Sequence, residues 1–160
     1  MDHKKLGHKQ KLKKNISILI ENEKLDEAKE LLELYKQVEH NDIEIYSMKG
    51  VIAMMEGNLD EAESILKEGK SIEPLNSDIL YNLAYLYEIS TKYVLAYKSY
   101  RSLFHCADET IKDEIKDKIK QLEEIDEVNE YLIENQDEIK AYELIEKMQQ
   151  QIKELKEITM

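Results

Sequence analysis

Residues 43–74 read IEIYSMKGVIAMMEGNLDEAESILKEGKSIEP, and the segment inside them that decides the fold is Leu59-Asp60-Glu61-Ala62. It has a twin in Leu25-Asp26-Glu27-Ala28 and a looser relative in Tyr93-Val94-Leu95-Ala96. Ala28, Ala62 and Ala96 therefore recur every 34 residues. A fixed period of this size marks a chain built from stacked supersecondary units, each unable to bury its apolar face alone.

Outward from that segment the units read as helix pairs. Apolar residues recur at three- and four-residue spacing in Leu12, Ile16, Leu19 and Ile20, which predicts a helix over about 5–21, and in Leu25, Ala28, Leu31, Leu32 and Tyr35, which predicts one over 24–38. Further helices are expected at 43–56, 59–72, 77–90 and 92–106. Gly57 and Pro74 supply stops, Asn41 or Asp42 a cap for the third helix, and Asn58 with Glu61 a capping box for the fourth. One proline and four glycines in 160 residues leave little to interrupt helix, and no run alternates with period two as a strand would. The chain is expected to be all-α.

These pairs resemble tetratricopeptide repeats. In residues 43–76 the matching positions are Tyr46, Lys49, Gly50, Gly57, Leu59, Ala62, Leu66 and Pro74; in 77–110 they are Leu80, Leu83, Ala84, Tyr87, Tyr93, Ala96, Tyr100 and Leu103. A degenerate unit, 9–42, keeps Leu12, Leu25, Ala28 and Leu32. Ile16 stands where the family prefers a small residue, predicting helices that are splayed or shifted. Gly69 is smaller than usual at a contact between repeats, and Asp108 replaces a frequent proline. The resemblance implies an α-α superhelix, a right-handed solenoid of about three helix pairs over 9–110, preceded by a basic arm (1–8) and followed by C-terminal capping helices (111–160).

The register is lost after Asp108, since Glu130 stands where the next alanine would fall. Ile111, Ile115, Ile119, Leu122 and Ile125 make one narrow stripe, as a capping helix needs: one face on the last repeat and one in water. Asn135-Gln136-Asp137 is expected to interrupt the helical pattern beyond it. In the last helix, about 137–158, Ala141, Ile145, Met148, Ile152 and Leu155 form a coiled-coil-like seam, expected to pack back on the body.

The net charge of −12 is unevenly distributed. Residues 1–14 carry six lysines against Asp2, a balance of +5 that leaves −17 for the remainder. An acidic body argues against nucleic acid, and no apolar stretch approaches a membrane span. The basic arm reads as a solvated terminus drawn to its own acidic body. A lone cysteine, Cys106, excludes an internal disulfide. A cytoplasmic protein is expected, and 22 lysines against one arginine suggest an AT-rich bacterial genome.

Nothing points to catalysis. The carboxylates sit at the spacing of solvated helix faces. His3 and His8 share no helix face, and the neighbours His105 and Cys106 point about 100° apart on a helix. Neither pair has the further ligands of a zinc site, and phosphate-loop, GxSxG and HExxH patterns are absent. We expect no enzyme activity, no metal and no cofactor.

A binding surface remains. By the resemblance, the first helix of each pair lines a concave groove for a partner's peptide or helix. Here that lining is Lys13, Ser17, Ile20 and Glu21, then Ser47, Val51, Met54 and Met55, then Asp78, Tyr81, Tyr85 and Glu88. Some members clamp a C-terminal carboxylate with lysines, asparagines and an arginine. This chain keeps Lys13 and Asn82 but has Ser17, Met48 and Asp78 at other clamp positions, so no such tail is expected. A methionine- and tyrosine-lined groove with an acidic rim instead suits an apolar or aromatic-bearing segment with basic flanks. The alternative is a self-associating or self-closed regulatory scaffold, part of a longer protein, with the C-terminal helix in the groove or at a homodimer interface.

Overall fold

The computed structural model describes residues 3–159, and these form nine α-helices with no strand among them. In order they are α1 His3–Glu21, α2 Leu25–Val38, α3 Glu44–Met55, α4 Leu59–Ile72, α5 Ser77–Ile89, α6 Tyr93–Cys106, α7 Glu109–Glu123, α8 Asp126–Glu134 and α9 Gln136–Thr159. Met1 and Asp2 of the basic arm, and Met160, lie outside the described residues; the rest of the arm belongs to α1. None of the described helices is long and apolar enough to cross a membrane.

The 34-residue period extends to the backbone. Glu23, Gly57 and Thr91 each take positive φ, at 58°, 78° and 57°. The next amide donates to the carbonyl five residues back, Lys24 to Leu19, Asn58 to Ala53 and Lys92 to Tyr87, all at 2.9 Å. This is a left-handed helix stop. Lys24, Asn58 and Lys92 then share φ between −84° and −89° and ψ between 63° and 65°. Their carbonyls accept from the amides of Ala28, Ala62 and Ala96 at 3.0 Å.

The closure that the three turns share is thus made by main-chain groups. The expected capping box at Asn58 does not form, because its side chain makes no cap bond. Lysine, which has no oxygen to offer, occupies the same conformation at 24 and 92. Side chains do cap at the other joint: Asp42 Oδ1 accepts from the Glu44 amide at 3.0 Å, and 34 residues later Asn76 Oδ1 accepts from the Ile79 amide at 3.1 Å. Both satisfy amides that a helix start leaves without carbonyl partners.

By compactness the chain divides into two units, 1–86 and 87–160. In the first, Ile16, Ile20, Ala28, Leu32, Tyr35, Ile45 and Ile52 form a continuous buried cluster. Ile16 is fully buried within it, so its bulk is taken up by the core. Two glycines permit close approach. A Cβ added to Gly50 would lie 2.5 Å from Leu66 Cδ2, and one added to Gly69 would lie 2.9 Å from both Ile79 Cδ1 and Tyr46 Cβ. Gly69 therefore admits α3 and α5 side chains against α4.

In the second unit, α6 buries Ala96, Tyr97, Tyr100 and Leu103, and α7 covers it with Ile115, Ile119 and Leu122. The other residues of α7 are exposed or half-buried, as a covering helix requires. Val128 anchors α8, and Asn135 alone separates α8 from α9.

The arrangement of α9 corrects one expectation. The helix packs back through a polar line, not through its apolar seam. Glu138 meets Lys98 at 3.6 Å, and Glu146 meets Arg101 at 2.9 Å. Gln149 meets His105 at 3.3 Å, while Tyr142 stacks on His105 and lies under the Arg101 guanidinium. No residue of α9 is buried. Arg101, the chain's sole arginine, is only 9 % exposed. A buried guanidinium needs a counter-charge, and this need draws Glu146 inward.

Candidate binding groove

Three helices of the first unit contribute to one depression of about 250 Å³: α1 with Ser17, Ile20 and Glu21, α3 with Glu44, Ser47, Met48 and Val51, and α5 with Asp78. In α1 the residues are three and four apart, and in α3 Glu44, Ser47, Met48 and Val51 are likewise spaced. Each set therefore occupies one helix face. Ile20, Met48 and Val51 give an apolar floor; two serine hydroxyls and three carboxylates surround it.

The hydroxyls are already held. Ser17 donates to the Lys13 carbonyl at 3.2 Å, and Ser47 accepts from Asn82 Nδ2 at 2.8 Å. At one edge the Asp42 carboxylate accepts from the Tyr35 hydroxyl at 2.5 Å and pairs with Lys13 at 3.1 Å; Glu44 takes the same ammonium at 2.9 Å. Burial opposes charge on Lys13, but the hydrogen bonds and attraction of Glu44 and Asp42 outweigh it and hold its pKa above the ordinary lysine value. Burial similarly raises the Tyr35 phenol, helped by Asp42, to about 12. For Asp42 the opposing burial is overcome by Tyr35, the Glu44 amide and Lys13, so its pKa falls.

Lys13 therefore offsets one of the two negative charges of the Asp42–Glu44 edge. Glu21 and Asp78 are exposed and enter no ion pair among the described residues. The groove keeps a net negative mouth over an apolar floor. A second depression of about 220 Å³ on the α2–α4 side differs in this respect. Its lysines are matched by carboxylates, Lys29 with Glu56 and Lys49 with Glu33, the latter at 2.8 Å. Its two lysines leave only Glu61 unmatched, so its mouth is less negative than that of the groove.

Of the residues expected to line a groove, Ser17, Ile20, Ser47 and Val51 come together here, with Glu21 and Asp78. Lys13 is spent on its own carboxylates. Met54 and Tyr81 are half-buried, while Met55 and Tyr85 are 43 % and 45 % exposed; none of the four lines this depression. Glu88, in the second unit, accepts from the Tyr100 hydroxyl at 2.9 Å and pairs with Lys118 at 2.8 Å. Glu44 is an unexpected lining residue, and Met48, expected only at a clamp position, joins the floor. The signal available was their place one turn from Val51 and Ser47 on the same face of α3.

The carboxylates of the groove face solvent, and among the described residues no three His, Cys, Asp or Glu side chains gather as metal ligands. The residues suited to clamping a carboxylate, Lys13 and Asn82, are both engaged internally. Comparison with protein-family models and with curated proteins finds no match to this chain.

Proposed function

We propose that this chain is a tetratricopeptide-type interaction module, a cytoplasmic adaptor of about three helix pairs in a right-handed α-α solenoid with C-terminal capping helices. It binds a peptide or helix of a partner protein along the first helices of its pairs. The support for the repeat class is the 34-residue recurrence of turn conformation and hydrogen bonds at Glu23, Gly57 and Thr91. The observation that carries the binding function is the apolar depression floored by Ile20, Met48 and Val51 and rimmed by Glu21 and Asp78.

A ligand that fits this chemistry presents an aliphatic or aromatic side chain to the floor and lysine or arginine to the rim. Tyr85 and Met55, both exposed, extend the same module's apolar surface beyond the depression. No catalysis, metal or cofactor enters this function, and neither nucleic acid nor membrane suits the negative mouth.

The test is selection of a random peptide library on the wild-type protein and on a Glu21→Lys/Asp78→Lys variant. Wild type should enrich apolar sequences flanked by basic residues. Each exposed charge is worth up to about 1 kcal/mol, so the variant should weaken those peptides roughly tenfold or more. Enrichment of acidic peptides, or equal binding by both proteins, would refute the proposal.

A further inference from the structure

The whole of α9 has a second face that no described residue covers. Leu144, Ile145, Met148, Ile152, Leu155 and Ile158 are 44 to 80 % exposed. They lie about 120° around the helix from the line of Glu138, Tyr142, Glu146 and Gln149 that meets α6. From Leu144 to Ile158 the stripe runs along about 21 Å of helix. Solvated side chains scattered singly need no explanation, but a continuous stripe of this size does.

We propose that this stripe is a homodimer interface in which α9 of one copy pairs antiparallel with α9 of a second. The pattern of the stripe itself selects that occupant. Taking Ile145, Ile152 and Thr159 as one seam position and Ala141, Met148 and Leu155 as the other gives a heptad register. In an antiparallel pair the two kinds of position face each other. Ile145 then meets Leu155 of the second copy, Met148 meets Ile152, and the small Ala141 meets Thr159. The flanking positions fall into place in the same register: Leu144 meets Ile158, Gln151 meets Gln151, Gln149 meets Gln149, and Tyr142 meets Lys156.

Every exposed large apolar residue of the stripe thus finds an apolar mate, and no flanking pair brings like charges together. A parallel pair would leave Leu144 and Ile158 opposite no apolar residue. The twelve side chains remove on the order of 1,000 Å² from water, at the lower end of what a specific interface needs. The other face of α9 keeps its contacts with α6, since Glu146 lies clear of the new seam, while Tyr142 and Gln149, which meet His105, only flank it. This interface belongs to α9 alone and stands or falls independently of the groove.

The experiment measures mass in solution across a concentration series by light scattering, then tests register by disulfide formation. Wild type is expected to reach twice its 18.9 kDa. A Met148→Glu/Ile152→Glu variant, altered only at exposed positions, should keep its helical circular dichroism and stay at the single mass. In a background with the free Cys106 changed to serine, the Ile145→Cys and Leu155→Cys proteins are mixed and oxidised. The expected product joins position 145 to position 155.

A wild type that remains monomeric at about 100 µM, where micromolar affinity would saturate, overturns the proposal. So does a dimer that survives the double glutamate variant. Disulfides joining 145 to 145 and 155 to 155, or none at all, overturn the antiparallel register.

Discussion

Replacing Gly50 by alanine tests the packing of the helix pair α3–α4 directly. The new Cβ would meet Leu66 Cδ2 at 2.5 Å, Cγ at 2.6 Å and Cδ1 at 3.2 Å. Carbon atoms in contact sit about 3.5–4.0 Å apart, so the overlap is close to 1 Å. Leu66 is fully buried and the clash includes its branch carbon, which leaves no easy retreat. Overpacking of this kind costs about 1–3 kcal/mol. The higher helix propensity of alanine returns about 1 kcal/mol. The net loss should be about 0–2 kcal/mol, or a Tm lower by up to about 8 °C for a chain of this length.

The assay is urea or thermal unfolding followed by circular dichroism, on Gly50→Ala alone and on Leu66→Ala backgrounds with and without it. Leu66→Ala by itself should cost about 2–5 kcal/mol. It also empties the space above Gly50, so that in its presence Gly50→Ala should become stabilising. A cost of the same sign and size in both backgrounds would refute the packing argument. Gly7→Ala is the control: an added Cβ there has no atom within 4 Å, so the variant should gain stability.

Thr91 holds a left-handed conformation that is costly for a β-branched residue, at the place Gly57 occupies one period earlier. Thr91→Gly should therefore stabilise by about 1 kcal/mol, measured by chemical denaturation. Asp42 titrates below its ordinary 3.8 in the folded chain, so its contribution is present at neutral pH and lost as pH falls through that region. The stability difference between wild type and Asp42→Asn should accordingly be large at pH 6 and shrink in acid. Glu123 shows the opposite sign: burial raises its pKa above 4.5, aided by Glu146 and Glu143 and opposed by Arg101. Glu123→Gln should gain on wild type as pH rises from 4 to 7, read as a widening Tm difference.

The helices were legible because their apolar residues recur at helical spacing, and α4 occupies the expected 59–72 without change. The period was legible for the same local reason. The means of closing the turns was not. Asn58 looks like a cap in one dimension, yet a backbone geometry that Lys24 and Lys92 share makes its side chain irrelevant.

In the groove, Ser17 and Val51 could be placed by register alone. The capture of Lys13 by Asp42 and Glu44 depends on folding about thirty residues of chain back on themselves. Likewise the seam of α9 was visible as an apolar stripe. Which face the helix turns inward was decided by Arg101, 45 residues before Glu146, whose buried charge outweighs a stripe that had no apolar surface waiting for it.

The recurrence of turns has a kinetic consequence. Helices joined by three-residue turns, such as α1 with α2 and α3 with α4, meet partners that are close in sequence, so little chain must be searched before native contacts form. Such low contact order places folding in the microsecond-to-millisecond range. Synthesis proceeds at roughly 5–20 residues per second, far more slowly. The first helix pair can therefore close on the ribosome before α5 has been made, and the nascent chain never presents its whole apolar content to solvent at once.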